Sequence, residues 1–394
     1  MNTLLLDNHL AQTTPFPVGL EVSHAIGSYI YTKDGNKYLD MISGLCVSNL
    51  GHGNQAVKDA VYCQLEKYAH VMVYGEFEQD AVSELAATLT GLLPKSLDTC
   101  YFVNSGTEAN EAAIKLARRS TGRSELIAFK GAYHGGSTGS LAISYNEEKK
   151  YAVRPLMPDV KFIELNKLAD LAFITKKTAG VFLETIQGDA GIRIPEEAFI
   201  KALRKRCSET GTLLILDEIQ AGMGRTGKFS AFEHYGIVPD ILCLGKALGA
   251  GLPIGALISG RNLMEKFTHD PMLGHITTFG GNPVISAAAN AGLKELLKDG
   301  IIAAVETKGQ FISSSLKDHT MVKEIRQKGL FIAIELESAE LVQQAFDYCL
   351  AHGVITFWFL SCKNAFRIAP PLNISQEDLA HGVSILKEAL DSLT

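Results

Sequence analysis

Six strand-length apolar runs recur between residues 100 and 259: CYFV (100–103), ELIAF (125–129), AGVFL (179–183), TLLIL (212–216), ILCLG (241–245) and GALIS (255–259). None alternates apolar with polar side chains, so each strand needs cover on both faces. That is the condition of a largely parallel sheet packed between helices. The intervening segments supply the helices. NQAVKDAVYCQLEKYAH places Val57, Val61, Leu65 and Tyr68 on one helical face, and EQDAVSELAATLTGLL does the same with Val82, Leu85, Ala86, Leu89 and Leu92. The expectation is a three-layer α/β domain.

After residue 300 the texture changes. MVKEIRQKGLFIAIELES and AFRIAPPLNIS read as strands, AELVQQAFDYCLAHG and SQEDLAHGVSILKEALDSL as helices, with Ser375 a candidate N-cap. At the other end, GSYIYTKDGNKYLD reads as a hairpin turning at Asp34-Gly35. A chain of 394 residues exceeds one simple core. We expect a large α/β domain at 51–285, a small α+β domain at 286–394, and an N-terminal segment, 1–50, packed with the small domain.

Composition narrows the function classes. A net charge of −6 gives no general attraction to nucleic acid or anionic membranes. The seven cysteines are scattered, with no C-x-x-C and no zinc-ligand spacing, which points to a reducing compartment without structural metal. The start, MNTLLLDNHLAQTTPFP, lacks the pattern of a signal peptide. The apolar window 241–260 carries Lys246, Pro253 and five glycines, and reads as two strands around a turn rather than a membrane span. A soluble cytoplasmic protein is expected.

In open α/β sheets, ligands gather beyond the carboxyl ends of the strands. After CYFV come Ser105, Gly106 and Thr107 at a helix start, which reads either as a phosphate cradle or, with Glu108, as an ordinary capping box. After ELIAF come Tyr133 and His134 between glycines, able to lie against a planar ring or simply to pack. After AGVFL come Glu184 and Asp189; after TLLIL come Asp217 and Gln220. Lys246 follows ILCLG and is the only charge between Asp240 and Arg261. In apolar, glycine-rich surroundings its ammonium form is disfavoured, which frees a nucleophilic amine. Alone it would be a structural lysine. With an anion cradle, an aromatic and a partly desolvated carboxylate, the set matches what pyridoxal phosphate needs.

A competing motif lies in GMGRTGKF. Gly222, Gly227 and Lys228 fit G-x-x-x-x-G-K, but Phe229 stands where a P-loop needs Ser or Thr. Asp217 and Glu218 before it would also repel a polyphosphate. A P-loop nucleotide hydrolase is the remote alternative.

With these residues in view, the chain resembles the class III pyridoxal-phosphate aminotransferases, the ornithine, acetylornithine and 4-aminobutyrate group. The likeness runs from GSYIYTKDGNKYLD to FRIAPPLNI and is strongest in FVNSGTEANEAAIKLAR, LLILDEIQAGMGRTGKFSAFEHYGIVPDI and LGKALGAGLPIGA. It implies the three-layer fold of pyridoxal-phosphate transferases (fold type I), pyridoxal 5'-phosphate as cofactor, and a ping-pong transfer of an amino group to a 2-oxo acid such as 2-oxoglutarate or pyruvate. A racemase or aminomutase on the same scaffold is the alternative.

The same resemblance assigns roles. Lys246 would form the Schiff base and shuttle the proton. Asp217 would pair with the pyridine nitrogen, Gln220 would sit near the phenolic oxygen, Tyr133 would stack on the ring with His134 beside it, and Ser105, Gly106 and Thr107 would hold the phosphate. Thr278 would reach the phosphate of a neighbouring subunit, which implies a homodimer with shared sites. Arg367 would bind a substrate carboxylate, with Asp189 at the place of a glutamate that can mask it. Glu184 matches a further acidic residue of that motif, followed by Thr185 in place of proline. Gly136 stands where many relatives carry an arginine for a distal carboxylate. An ornithine-like or acetylornithine-like donor is expected.

Overall fold

The computed structural model describes residues 9–298 and 300–393; MNTLLLDN, the first eight residues of the start read above for a signal peptide, lies outside them. Strands β1 (Val22–Ile26), β2 (Tyr29–Thr32) and β3 (Lys37–Asp40) form an antiparallel meander. It reverses where Asp34 accepts hydrogen bonds from the Thr32 hydroxyl and the Asn36 amide.

The large sheet has seven strands: β4 (Thr99–Val103), β5 (Glu125–Phe129), β6 (Val160–Ile163), β7 (Thr178–Glu184), β8 (Leu213–Asp217), β9 (Ile241–Gly245) and β10 (Gly255–Ser259). Their order is β4-β10-β9-β8-β7-β5-β6. The pairings from β9 through β6 are parallel, while β10 runs antiparallel to both its neighbours. The cause is local. Only nine residues separate β9 from β10, too few for the helical crossover that a parallel return requires.

Helix α1 (Gln55–Lys67) and helix α2 (Asp80–Gly91) precede the sheet, and helix α3 (Gly106–Thr121) follows β4. The expected face of α1 is only partly realised. Val57 is buried, but Leu65 is 47% exposed, and Gln64 is buried in its stead with its amide on the Tyr68 carbonyl. In α2, Leu85 and Leu89 are fully buried as the periodicity requires. Helix α3 lays Ala109, Ala112, Ala113, Leu116 and Ala117 against Leu126, Ile215, Cys243 and Leu257. The alanines let its backbone approach the sheet closely. On the opposite face, Phe199 and Leu203 of helix α4 (Glu197–Thr210) share a core with Val181, Leu183, Leu214 and Leu216. Each such fully buried large side chain contributes roughly 1.5–3 kcal/mol, and the three layers follow.

Helix α5 (Pro283–Leu296) packs on α1 and α2. Beyond it, β11 (Glu324–Lys328), β12 (Phe331–Glu335), β14 (Phe357–Trp358) and β15 (Ala365–Ile368) form a sheet of order β11-β12-β15-β14. Strand β13 (Val354–Ile355) leaves that sheet and joins the N-terminal meander, pairing in parallel with Leu39 and Asp40. Ser375 caps the last helix, α6 (Gln376–Asp391), by accepting from the Asp378 amide.

Candidate active site

The carboxyl ends of β7, β8 and β9 lie side by side and deliver Glu184, Asp217 and Lys246. With the N-terminus of α3 and the loop after β5, they surround a cavity of about 290 Å³. Gly106 and Thr107 line it, as do Tyr133 and His134 with Gly135 and Gly136 behind them, and Ile219, Gln220 and Ala221 beyond Asp217.

Asp217 is 5% exposed and carries three donors. Its Oδ2 accepts from His134 Nδ1 at 2.8 Å and from Asn110 Nδ2 at 2.8 Å, and its Oδ1 accepts from the Ile219 amide at 3.0 Å. A desolvated carboxylate is stabilised by such donors. Lys246 sits in the left-handed region (φ 45°), a strained conformation for a lysine and one that recurs at functional sites. Part of its surface opens to the cavity, but burial in protein pushes its ammonium pKa down, opposed by the Asp217 charge and assisted by that of Arg367. The amine is thereby favoured.

Glu184, 6% exposed, accepts from the amides of Tyr133 and Gly188, both at 3.1 Å. Burial lifts its pKa to about 7, a rise that His134 resists and Asp217 reinforces. Ionised Glu184 therefore costs stability. Its contribution is absent below the ordinary value of 4.5, grows as pH climbs, and is complete above about 7. Glu184→Gln is expected to flatten the fall in stability between those pH values by on the order of 3 kcal/mol. Urea unfolding of the apoprotein across that range checks it. Glu218, also lifted to about 7 by burial, retains its own slope in the variant. An unchanged total slope would refute the assignment to Glu184.

At the helix end, capping and cradle coexist. Ser105 Oγ accepts from the Glu108 amide at 3.3 Å, and Glu108 accepts from the Asn104 amide at 2.6 Å. Ser105 is thus used for capping and does not line the cavity. The amides of Gly106 and Thr107 precede the helix's own hydrogen-bond ladder and carry its positive end. A Cβ on Gly106 would meet the Ile219 side chain at 2.7 Å, so that position needs glycine. Thr107 Oγ1 is held by the hydroxyls of Ser137 and Ser140, at 2.7 and 2.6 Å, and Glu111 fixes that loop by accepting from Ser137 Oγ and the Gly139 and Ser140 amides. Gly135, at φ 135°, is pressed so closely on Thr107 that a Cβ there would lie 2.3 Å from its hydroxyl.

Arg367 and Asp189 meet outside the cavity wall. The guanidinium stacks over Phe359 at 4.5 Å and is 4% exposed. Asp189 approaches it only to 3.9 Å, because its oxygens accept from the Leu360 amide (3.2 Å) and the Ser361 hydroxyl (3.0 Å). Arg367 Nε is buried without a partner. Thr278 is exposed, on the segment before α5, and does not line this cavity. The segment Gly222–Lys228, read above as a broken P-loop, lies outside it as well. Asn110, Glu111 and Ile219 were not anticipated. Asn110 falls one helical turn from Gly106 on the same face, and that spacing was the available signal.

Comparison with known proteins decides the family. The sequence profile described as "Aminotransferase class-III" matches residues 11–390. The chain belongs to the class-III aminotransferases. It is 37% identical over 386 residues to an acetylornithine aminotransferase of Methanopyrus kandleri, covering 97% of this chain and 96% of the relative. It is 35% identical over 376 residues to a [LysW]-aminoadipate semialdehyde/glutamate semialdehyde transaminase of Sulfolobus acidocaldarius, with 94% and 95% covered. Its fold superposes on the ornithine aminotransferase of Toxoplasma gondii with a TM-score of 0.91 at 25% identity, covering 98% of this chain and 93% of the other, a structure described with pyridoxal phosphate at its active site. This class-III aminotransferase is accordingly a fold type I, pyridoxal-phosphate-dependent transaminase.

Proposed function

We propose that this class-III aminotransferase takes the amino group of an ornithine-like or acetylornithine-like donor and passes it to a 2-oxo acid such as 2-oxoglutarate or pyruvate, in two half-reactions at one site. The observation that carries the reading is Lys246: a lysine amine whose ammonium form burial disfavours, lining the same strand-end cavity as Asp217. The cavity fits the cofactor, since an anion-binding helix end, a carboxylate already served by three donors and this amine bound one space of about 290 Å³. When bound, pyridoxal 5'-phosphate supplies an electron sink for the carbanion.

The side chains then divide the work. The Gly106 and Thr107 amides, left free because Ser105 caps the Glu108 amide instead, would hold the phosphate. Asp217 would keep the ring nitrogen protonated, and Tyr133 would cover the ring, with His134 fixing the Asp217 carboxylate. Gln220 would stand near the phenolic oxygen, and Glu184 completes the wall. Lys246 Nζ takes the proton from the amine-bearing carbon and returns it to the other reacting carbon. The under-used guanidinium of Arg367 takes a substrate carboxylate, a bidentate match. Asp189 is its nearest acid.

We also propose a homodimer in which Thr278 serves the neighbouring site. Thr278 is exposed, and Met272, Leu273, Ile276 and Phe279 around it are exposed apolar residues of the kind that interfaces cover. The packing of segment 1–50 with the C-terminal part of the chain, within the proposed division into 1–50, 51–285 and 286–394, is supported by the β3–β13 pairing. A cytoplasmic location is part of the same proposal; among the described residues no helix is long and apolar enough to cross a membrane.

The test is a spectral titration. Adding pyridoxal 5'-phosphate is expected to give a band near the visible–ultraviolet boundary, and borohydride is expected to fix the label on Lys246. A panel of amines, scored by loss of the band in a single turnover, ranks the donors, and recovery of the band with an added 2-oxo acid establishes transfer. A protein that stays colourless, or a label on another lysine, overturns the proposal.

A further inference from the structure

Asn110 is fully buried in α3, and its amide nitrogen makes two hydrogen bonds to parts of the site that come from different strands. One, at 2.7 Å, goes to the carbonyl of His134, in the loop after β5. The other, at 2.8 Å, goes to Asp217 Oδ2, at the end of β8. Both partners are acceptors only. The amide orientation is therefore forced, because turning it over would set its oxygen against a carbonyl and a carboxylate. Its Oδ1 is buried without a partner, a cost the fold bears in order to keep both hydrogens of Nδ2 where they are.

We infer that Asn110 is a positioning residue for the cofactor ring: it sets the rotation of the Asp217 carboxylate and ties it to the Tyr133–His134 loop. This rests on the function proposed above. With Oδ2 engaged by Asn110 and His134, and Oδ1 by a single backbone amide, the free acceptor capacity of the carboxylate lies on Oδ1. Four residues earlier on the same helix stands Gly106, at the anion-binding end. One rigid helix thus fixes the spacing between the site for the ligand's anionic group and the carboxylate for its ring nitrogen, and through His134 it also fixes the loop whose tyrosine covers the ring. Two donors on a fixed amide are what the position requires. Leucine has the volume without the donors; aspartate has nearly the shape but places a second acceptor against Oδ2.

The test compares Asn110→Leu and Asn110→Asp with the wild type at pH 8, as full-length protein with pyridoxal 5'-phosphate. Loss of a buried, charge-assisted hydrogen bond predicts weaker cofactor binding by about 10- to 100-fold for the leucine variant. The fall in kcat should be similar, the substrate KM should stay within about threefold, and the aspartate variant should be the worse of the two. A role in packing alone predicts the reverse order, since aspartate preserves the shape better. If Asn110→Leu does not fold, Asn110→Ser, which is smaller and cannot clash, is read in its place. Cofactor dissociation constants within about threefold of wild type in both variants, or an aspartate variant that binds better than the leucine variant, overturn the inference. Failure of the wild type itself to take up the cofactor would instead overturn the proposed function.

Discussion

Lys246→Ala is expected to lower amino transfer by at least about 10⁴-fold, because one substitution removes both the nucleophile and the proton carrier. The two roles reside on one Nζ, just beyond the carboxyl end of β9, where burial disfavours the ammonium and the Asp217 charge opposes that shift. Among the described residues of the cavity wall no other amine is present, and the one imidazole, His134, has its Nδ1 committed to Asp217 at 2.8 Å. The variant should keep its fold, since the residue opens onto the cavity instead of filling the core. Steady-state rates with and without an added primary amine provide the check. Turnover within about tenfold of wild type would mean that the reactive amine lies elsewhere.

Arg225→Met is expected to cost about 3–5 kcal/mol of stability, because it strands several buried acceptors at roughly 1–3 kcal/mol each, partly offset by no longer burying a charge. Arg225 is fully buried, in the middle of the glycine-rich stretch that resembles a phosphate loop. Its guanidinium donates to the carbonyls of Leu330 (3.1 Å) and Pro370 (2.6 Å), to Ser43 Oγ (3.0 Å) and to Asn49 Oδ1. It thereby ties together three distant parts of the chain, and methionine would leave each acceptor without its donor. Lysine, with one rotatable ammonium, cannot reach the same fork. Urea unfolding of the variant gives the number; a loss below about 1 kcal/mol would show the network to be replaceable.

These two residues mark how far the sequence could be read. Lys246 was legible because it is the sole charge in a long apolar stretch, and such isolation has few explanations. Asp217 and Glu184 were legible because each ends an apolar strand on the side where ligands collect. Arg225 was not, since an arginine among glycines gives no sign of whether it faces solvent or the interior. Asn110 was only faintly marked: its spacing from Gly106 gave the face, but not the partners after β5 and at the end of β8 that give the amide its work. The apolar runs announced the sheet, but the antiparallel course of β10 depends on the length of its connection to β9. The half-uncovered face of α1 shows the limit of periodicity, which counts apolar positions and cannot tell whether the same molecule covers them.

The pairing of β3 with β13 joins residues near 40 to residues near 355. The meander therefore waits for its fourth strand until more than 300 further residues have been synthesised. Contacts so remote in sequence form slowly, and in the interval the open edge of β3 is available to other extended chains. Production yield should accordingly respond to translation speed and to chaperones that shield strand edges.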